Sequence, residues 1–123
     1  MKLAIVGCRT FNDYEFVKKH VLELYDIKEI THIISGGATG VDTLAKQLSE
    51  EYHITFIEFK ADWNTHGKAA GPIRNRVIID NATHVIAFWD YQSKGTKSSI
   101  NIAIAMKKVL NIVDINYNKQ WGT

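Results

Sequence analysis

The run Leu3-Ala4-Ile5-Val6 is apolar at four consecutive positions. A half-exposed strand alternates, so an unbroken run of this kind belongs to a central strand of a parallel sheet, covered on both faces. Further β-branched and aromatic runs follow at 31–35, 54–59, 83–89 and 109–115. Between them apolar residues recur at helical spacing: Tyr14, Val17, Val21 and Leu24; Val41, Leu44, Ala45 and Leu48; Ile73, Val77 and Ile78; Ile100, Ala103 and Ile104. Asn12 with Glu15 three residues on has the spacing of a capping box and predicts the start of the first helix. The stretch 60–71 carries no apolar period and reads as a long loop. Pro72 then suits the first turn of a helix, where its missing N–H would be unpaired anyway. Strands alternating with helices give an α/β fold with a mostly parallel sheet of about five strands. At 123 residues and 46% hydrophobic content the chain is sized for one core. A single domain over 1–123 is expected, with Asn116–Thr123 a tail.

Composition removes several function classes. No run of 18 apolar residues exists, so no membrane span or membrane partner is expected. Met1-Lys2-Leu3 enters a strand directly, without the pattern of a signal peptide. The one cysteine, Cys8, has no internal partner and fits a reducing, cytoplasmic setting. Five scattered histidines lack ligand spacing, so no metal site is expected. The net charge of +2 argues against nucleic acid as a partner.

Ser35-Gly36-Gly37-Ala38-Thr39-Gly40-Val41-Asp42 follows the second strand and opens the second helix. A strand, a glycine-rich turn and a helix together point backbone N–H groups and a positive helix end at an anion. The sequence is neither a Walker A loop nor the dinucleotide fingerprint. Its neighbours sharpen it. Seven of the eight glycines lie in connections leaving strands: Gly7, Gly36, Gly37, Gly40, Gly67, Gly71 and Gly95. The returning connections have none, although helix C-caps favour glycine. The only three arginines, Arg9, Arg74 and Arg76, fall on the same edge or its helices, and arginine suits bidentate phosphate binding. Ligands of open α/β sheets sit at the strand carboxyl ends.

Other candidates converge there. Thr39 and Asp42 have the spacing of a capping pair, and Asp42 reads equally as a cap or helix-dipole partner and as a ligand contact. Asp62-Trp63 and Trp89-Asp90 each set an indole beside a carboxylate, suited to a base and a ribose hydroxyl, with rim packing the plainer role for Trp89. Cys8 reads as a small buried hydrophobe.

Gly7-Cys8-Arg9, the GGATGVD stretch, Asp62-Trp63, the run from Gly67 through Gly71-Pro72-Ile73-Arg74-Asn75-Arg76, and Ser93-Lys94-Gly95-Thr96 together resemble the YspA/YpsA-related branch of the SLOG superfamily. This Rossmann-like group also holds the DNA-processing Smf/DprA proteins and the LOG phosphoribohydrolases. The resemblance covers nearly the whole chain in order, and implies a three-layer α/β/α sandwich. It implies a bacterial or phage origin, a homo-oligomer, and a nucleotide-type ligand rather than a cofactor. Phosphate is expected at Gly36, Gly37, Ala38, Thr39, Gly40, Ser93, Gly95 and Thr96. Arg9, Arg74, Asn75 and Arg76 are expected to neutralise and hold it, Gly7 and Cys8 to border it, and Trp63 or Trp89 to meet the base. The enzymatic relatives cleave a nucleoside monophosphate at its glycosidic bond with an arginine, matched by Arg74 or Arg76, and a glutamate, whose position here is Ser99. Serine supplies no carboxylate for a cationic sugar. The expectation is therefore binding of a nucleotide or nucleotide-derived ligand. The alternatives are glycosidic cleavage with Arg74, Asp42 or Asp62 as catalytic candidates, and DNA binding by analogy with Smf/DprA.

Overall fold

The computed structural model describes residues 1–116 and shows five parallel strands: β1 (Lys2–Gly7), β2 (His32–Gly36), β3 (Thr55–Phe59), β4 (His84–Trp89) and β5 (Val109–Asp114). Their order in the sheet is β3-β2-β1-β4-β5. The connecting helices are α1 (Tyr14–Leu24), α2 (Val41–Glu51), α3 (Trp63–His66), α4 (Ala70–Asn81) and α5 (Lys94–Ala105). This is the expected Rossmann-like α/β/α sandwich. Residues 117–123, most of the expected tail, lie outside the described residues.

Leu3–Val6 occupies the centre of the sheet, as its unbroken apolar run requires. Because successive side chains of a strand point to opposite faces, Leu3 and Ile5 join Phe88, Val17, Val21, Val41, Leu44 and Leu48 under α1 and α2. Ala4 and Val6 join Ala87, Ile78, Ile79, Ile100 and Ala103 under α4 and α5. Burying a side chain such as Leu48 or Ile79 completely contributes about 1.5–3 kcal/mol.

Three local expectations need correcting. The cap of α1 is Asp13, whose carboxylate accepts from the Phe16 N–H at 3.1 Å, rather than Asn12. The stretch 60–71 is mostly helical: α3, then a 3₁₀ turn at Gly67–Ala69, then α4 from Ala70. Pro72 is the third residue of α4, still within the first turn. Thr39 and Asp42 are not a capping pair. The α2 cap is Gly40, the Thr39 hydroxyl donates to the Arg9 carbonyl at 3.1 Å, and Asp42 bonds elsewhere.

β1 and β4 are neighbours, yet the chain leaves β1 for α1 on one face and β4 for α5 on the other. Their carboxyl ends therefore diverge. That is the topological switch point at which open α/β sheets form a crevice.

Candidate functional site

A cavity of about 620 Å³ opens at this switch point. The end of β1 contributes Gly7, Cys8 and Arg9, and the turn after β2 contributes Ala38 and Asp42. Trp63 comes from α3, Arg74 and Asn75 from α4, and Asp90, Ser93, Gly95, Thr96 and Ser99 from the end of β4 and α5. A second cavity of about 370 Å³ adjoins it, sharing Arg9, Ala38, Trp63 and Arg74 and adding Gly37, Thr39, Lys60 and Ala61. Five expected residues line neither cavity: Gly36, Gly40, Asp62, Arg76 and Trp89.

Gly40 and Gly36 have structural reasons for being glycine. Gly40 has φ +72°, and a Cβ there would meet the Arg9 backbone. The Val41 N–H donates to the Cys8 carbonyl at 3.1 Å, so the β2–α2 turn is docked on the β1–α1 loop. Gly36 is a seat. A Cβ on it would strike the Arg74 guanidinium and lie 2.8 Å from Asp42 Oδ2. Trp89 packs at the rim, donating its indole N–H to the Ser93 carbonyl at 3.0 Å. Arg76 is exposed on the outer side of α4.

Three aspartates were expected near the ligand, and each is already engaged. Asp42 accepts from the Ser35 hydroxyl at 2.8 Å and from the Ala38 N–H at 3.2 Å. Burial pushes its carboxyl above the usual carboxylate range, against those hydrogen bonds and the charges of Arg74 and Arg9. Asp90 accepts from the Ser93 N–H at 2.7 Å and the Gln92 N–H at 2.9 Å, which hold its carboxyl below the usual range. Asp62 caps α3 by accepting from the Thr65 N–H at 3.1 Å and borders neither cavity.

Cys8 is buried, and burial pushes its thiol up, as for a packed side chain rather than a thiolate. Asn75 spans two elements: its side chain accepts from Arg74 Nε at 3.1 Å and donates to the Gly95 carbonyl at 3.4 Å. Thr96 and Ser99, both buried, present hydroxyls at the floor.

The cations are available. Among the described residues the ion pairs are Lys18 with Glu51 at 2.6 Å and Lys60 with Glu58 at 3.5 Å, and no arginine takes part. Trp63, 53% exposed, stands over both cavities. Lys60 is the residue the sequence reading missed.

Comparison with known proteins fits this geometry. The profile of the YspA, cpYpsA-related SLOG family matches residues 1–66. The gene 61 protein of Mycobacterium phage D29 is 30% identical over 103 residues, which is 78% of this chain and 82% of that protein. In structure the chain is similar to DNA processing protein A from Helicobacter pylori, described for its unique single-stranded DNA binding mode. The TM-score is 0.69 with 25% sequence identity, covering 99% of this chain and 73% of that one. Nucleotide-related binding in general follows from the family and the Rossmann-like fold.

The structural likeness overturns the expectation, drawn from a net charge of +2, that nucleic acid is excluded as a partner. Net charge averages over the whole surface, whereas binding responds to the local field. Here Arg9, Arg74 and Lys60 meet at one cavity, while carboxylates such as Glu51, Asp13 and Asp26 are engaged in an ion pair and helix caps elsewhere. Matched by profile over more than half its length and by a relative along most of both sequences, the chain belongs to the YspA, cpYpsA-related SLOG family.

Proposed function

We propose that the protein binds single-stranded nucleic acid at the carboxyl-end edge of its sheet. One nucleotide enters the larger cavity, its base against Trp63 and its phosphate at Arg9 and Arg74. The observation that carries this reading is the grouping of a half-exposed indole with two arginines free of any described ion pair, all three shared by adjoining cavities. A cationic groove with aromatic platforms is the general means of holding single strands, each stacked base contributing about 1–3 kcal/mol. A second platform lies on the loop after β4, where Trp89 and Tyr91 stack at 4.4 Å and Tyr91 is 55% exposed. The likeness to a single-stranded DNA-binding protein supports the same reading.

Fluorescence anisotropy with labelled oligo(dT) tests it. Binding is expected at low salt, falling with a log–log salt slope of about −1.4 to −2.1 for two or three phosphate contacts. Duplex of equal length should bind more weakly, because its bases are not free to stack. No binding to oligo(dT) at low salt contradicts the proposal.

A free nucleotide is the second reading, favoured by the cavity of about 620 Å³, within the ordinary range for small-molecule sites. Thermal unfolding with a nucleotide panel checks it, with stabilisation of about 2.7 kcal/mol at a hundredfold excess over Kd. Glycosidic cleavage has less support: Asp42, Asp62 and Asp90 are each held by hydrogen bonds, and Ser99 stands at the position matched to the relatives' glutamate.

A further inference from the structure

We propose that the smaller cavity is a phosphate subsite in its own right. The site would then hold a nucleotide in the larger cavity and the phosphate that flanks it in the smaller one. This deepens the single-strand reading and rests on it.

The two cavities differ in charge. The larger is lined by Asp42 and Asp90 as well as by Arg9, Arg74 and Lys94. Among the described residues the smaller is lined by Arg9, Lys60 and Arg74 and by no carboxylate. The mixed lining, with Asn75, Thr96 and Ser99, offers donors and acceptors suited to a sugar and base. The purely cationic lining is suited to an anion, with two guanidinium forks and one ammonium as donors.

The paired glycines explain how two of these cations come to one place. Gly36 forms the bed of Arg74, whose guanidinium lies where a Cβ would project. Gly37 does the same for Lys60: a Cβ at residue 37 would fall 2.9 Å from Lys60 Cγ and 3.3 Å from its Cε. The register sets this up, since Gly36 pairs with Phe59 and so brings the next residues, Gly37 and Lys60, side by side. Lys60 also approaches Glu58 at 3.5 Å, but its side chain is 77% exposed. Such a solvent-screened pair does not prevent it from meeting a phosphate.

The ligand chemistry is a second phosphate, available from the next nucleotide of a strand or from a bisphosphorylated mononucleotide. Calorimetry with thymidine 5′-monophosphate, thymidine 3′,5′-bisphosphate, the dinucleotide pTpT and oligo(dT) separates the cases. Both ligands with a second phosphate are expected to bind about tenfold more tightly than the monophosphate. Lys60→Ala should reduce that ratio to within about twofold, and Gly37→Ala should do the same by displacing Lys60 from its bed. Equal affinity for all three small ligands overturns the subsite and leaves the nucleotide reading standing. A gain with pTpT alone also overturns it, since the second nucleoside would then supply the gain. A ratio unchanged in both variants removes Lys60 and its glycine bed from the site. Failure of every ligand, oligo(dT) included, contradicts the underlying function instead.

Discussion

At the amino-end edge of the sheet, two threonines fasten the returning connections to the start of β1. The Thr31 N–H and hydroxyl both donate to the Met1 carbonyl, at 2.8 and 3.0 Å. The Thr83 N–H donates to the Lys2 carbonyl at 2.9 Å, and its hydroxyl accepts from the Lys2 N–H at 3.0 Å. The carboxyl-end edge uses connections between the same kinds of element differently. There glycines let one loop ride against another and give cationic side chains a bed, while those cations keep their charge directed at two cavities. One edge satisfies its polar groups within the chain; the other leaves cations for something outside it.

The contrast breaks most visibly on affinity. Arg74→Ala should weaken oligo(dT) binding by roughly 10- to 100-fold, the range of a lost charge-assisted hydrogen bond, with folding stability changed by no more than about 0.5 kcal/mol. Thr83→Ala on the opposite edge should do the reverse, costing about 1 kcal/mol in urea unfolding and leaving oligo(dT) affinity unchanged. If Thr83→Ala impaired binding as much as Arg74→Ala, the division between edges would fail.

Next in size is Gly40→Ala. At φ +72° and ψ −128° the backbone lies in a region that side-chain-bearing residues scarcely populate, costing about 1–3 kcal/mol before the collision with the Arg9 backbone is added. Urea unfolding should show at least that loss. An unchanged midpoint would mean that the β2–α2 turn is not docked as described.

The smallest effect concerns pH. Burial raises the Asp42 carboxyl above its unfolded value, so its folded form holds a proton more tightly than its unfolded form. Its contribution to stability is therefore greatest below the ordinary carboxylate range and declines as pH rises through the raised value. A phosphate at Arg74 and Arg9 raises the carboxyl further, and binding then takes up a proton. Affinity for the non-titrating phosphodiesters of oligo(dT) should rise as pH falls, by at most about tenfold per unit for one coupled proton. Asp42→Asn should flatten that part of the profile; a profile unchanged by the substitution would exclude Asp42 as its source.

Much of this architecture is legible in the sequence because burial on two faces leaves a plain mark. Leu3–Val6 reads as a central strand, and Val17 with Val21 or Leu44 with Leu48 reads as a covered helix face. The edge where the cavities lie is legible from where the glycines and arginines fall. Short-range capping is less so: Asp13 and Asn12 are equally plausible caps in one dimension, and Asp62 looks like a ribose contact until the four-residue α3 is seen above it. Lys60 is the instructive miss. It follows directly after an ordinary strand in a chain with many lysines, and only the pairing of β2 with β3 sets it on Gly37.

The central claim is that the carboxyl-end edge receives single-stranded nucleic acid. Amide chemical shifts of the isotope-labelled protein, followed during titration with oligo(dT), test it residue by residue. The account predicts progressive shifts at 7–10, 36–42, 60–63 and 90–96, with Met1, Lys2, Thr31 and Thr83 undisturbed. Shifts centred on the amino-end edge, or none at saturating oligonucleotide, would contradict it.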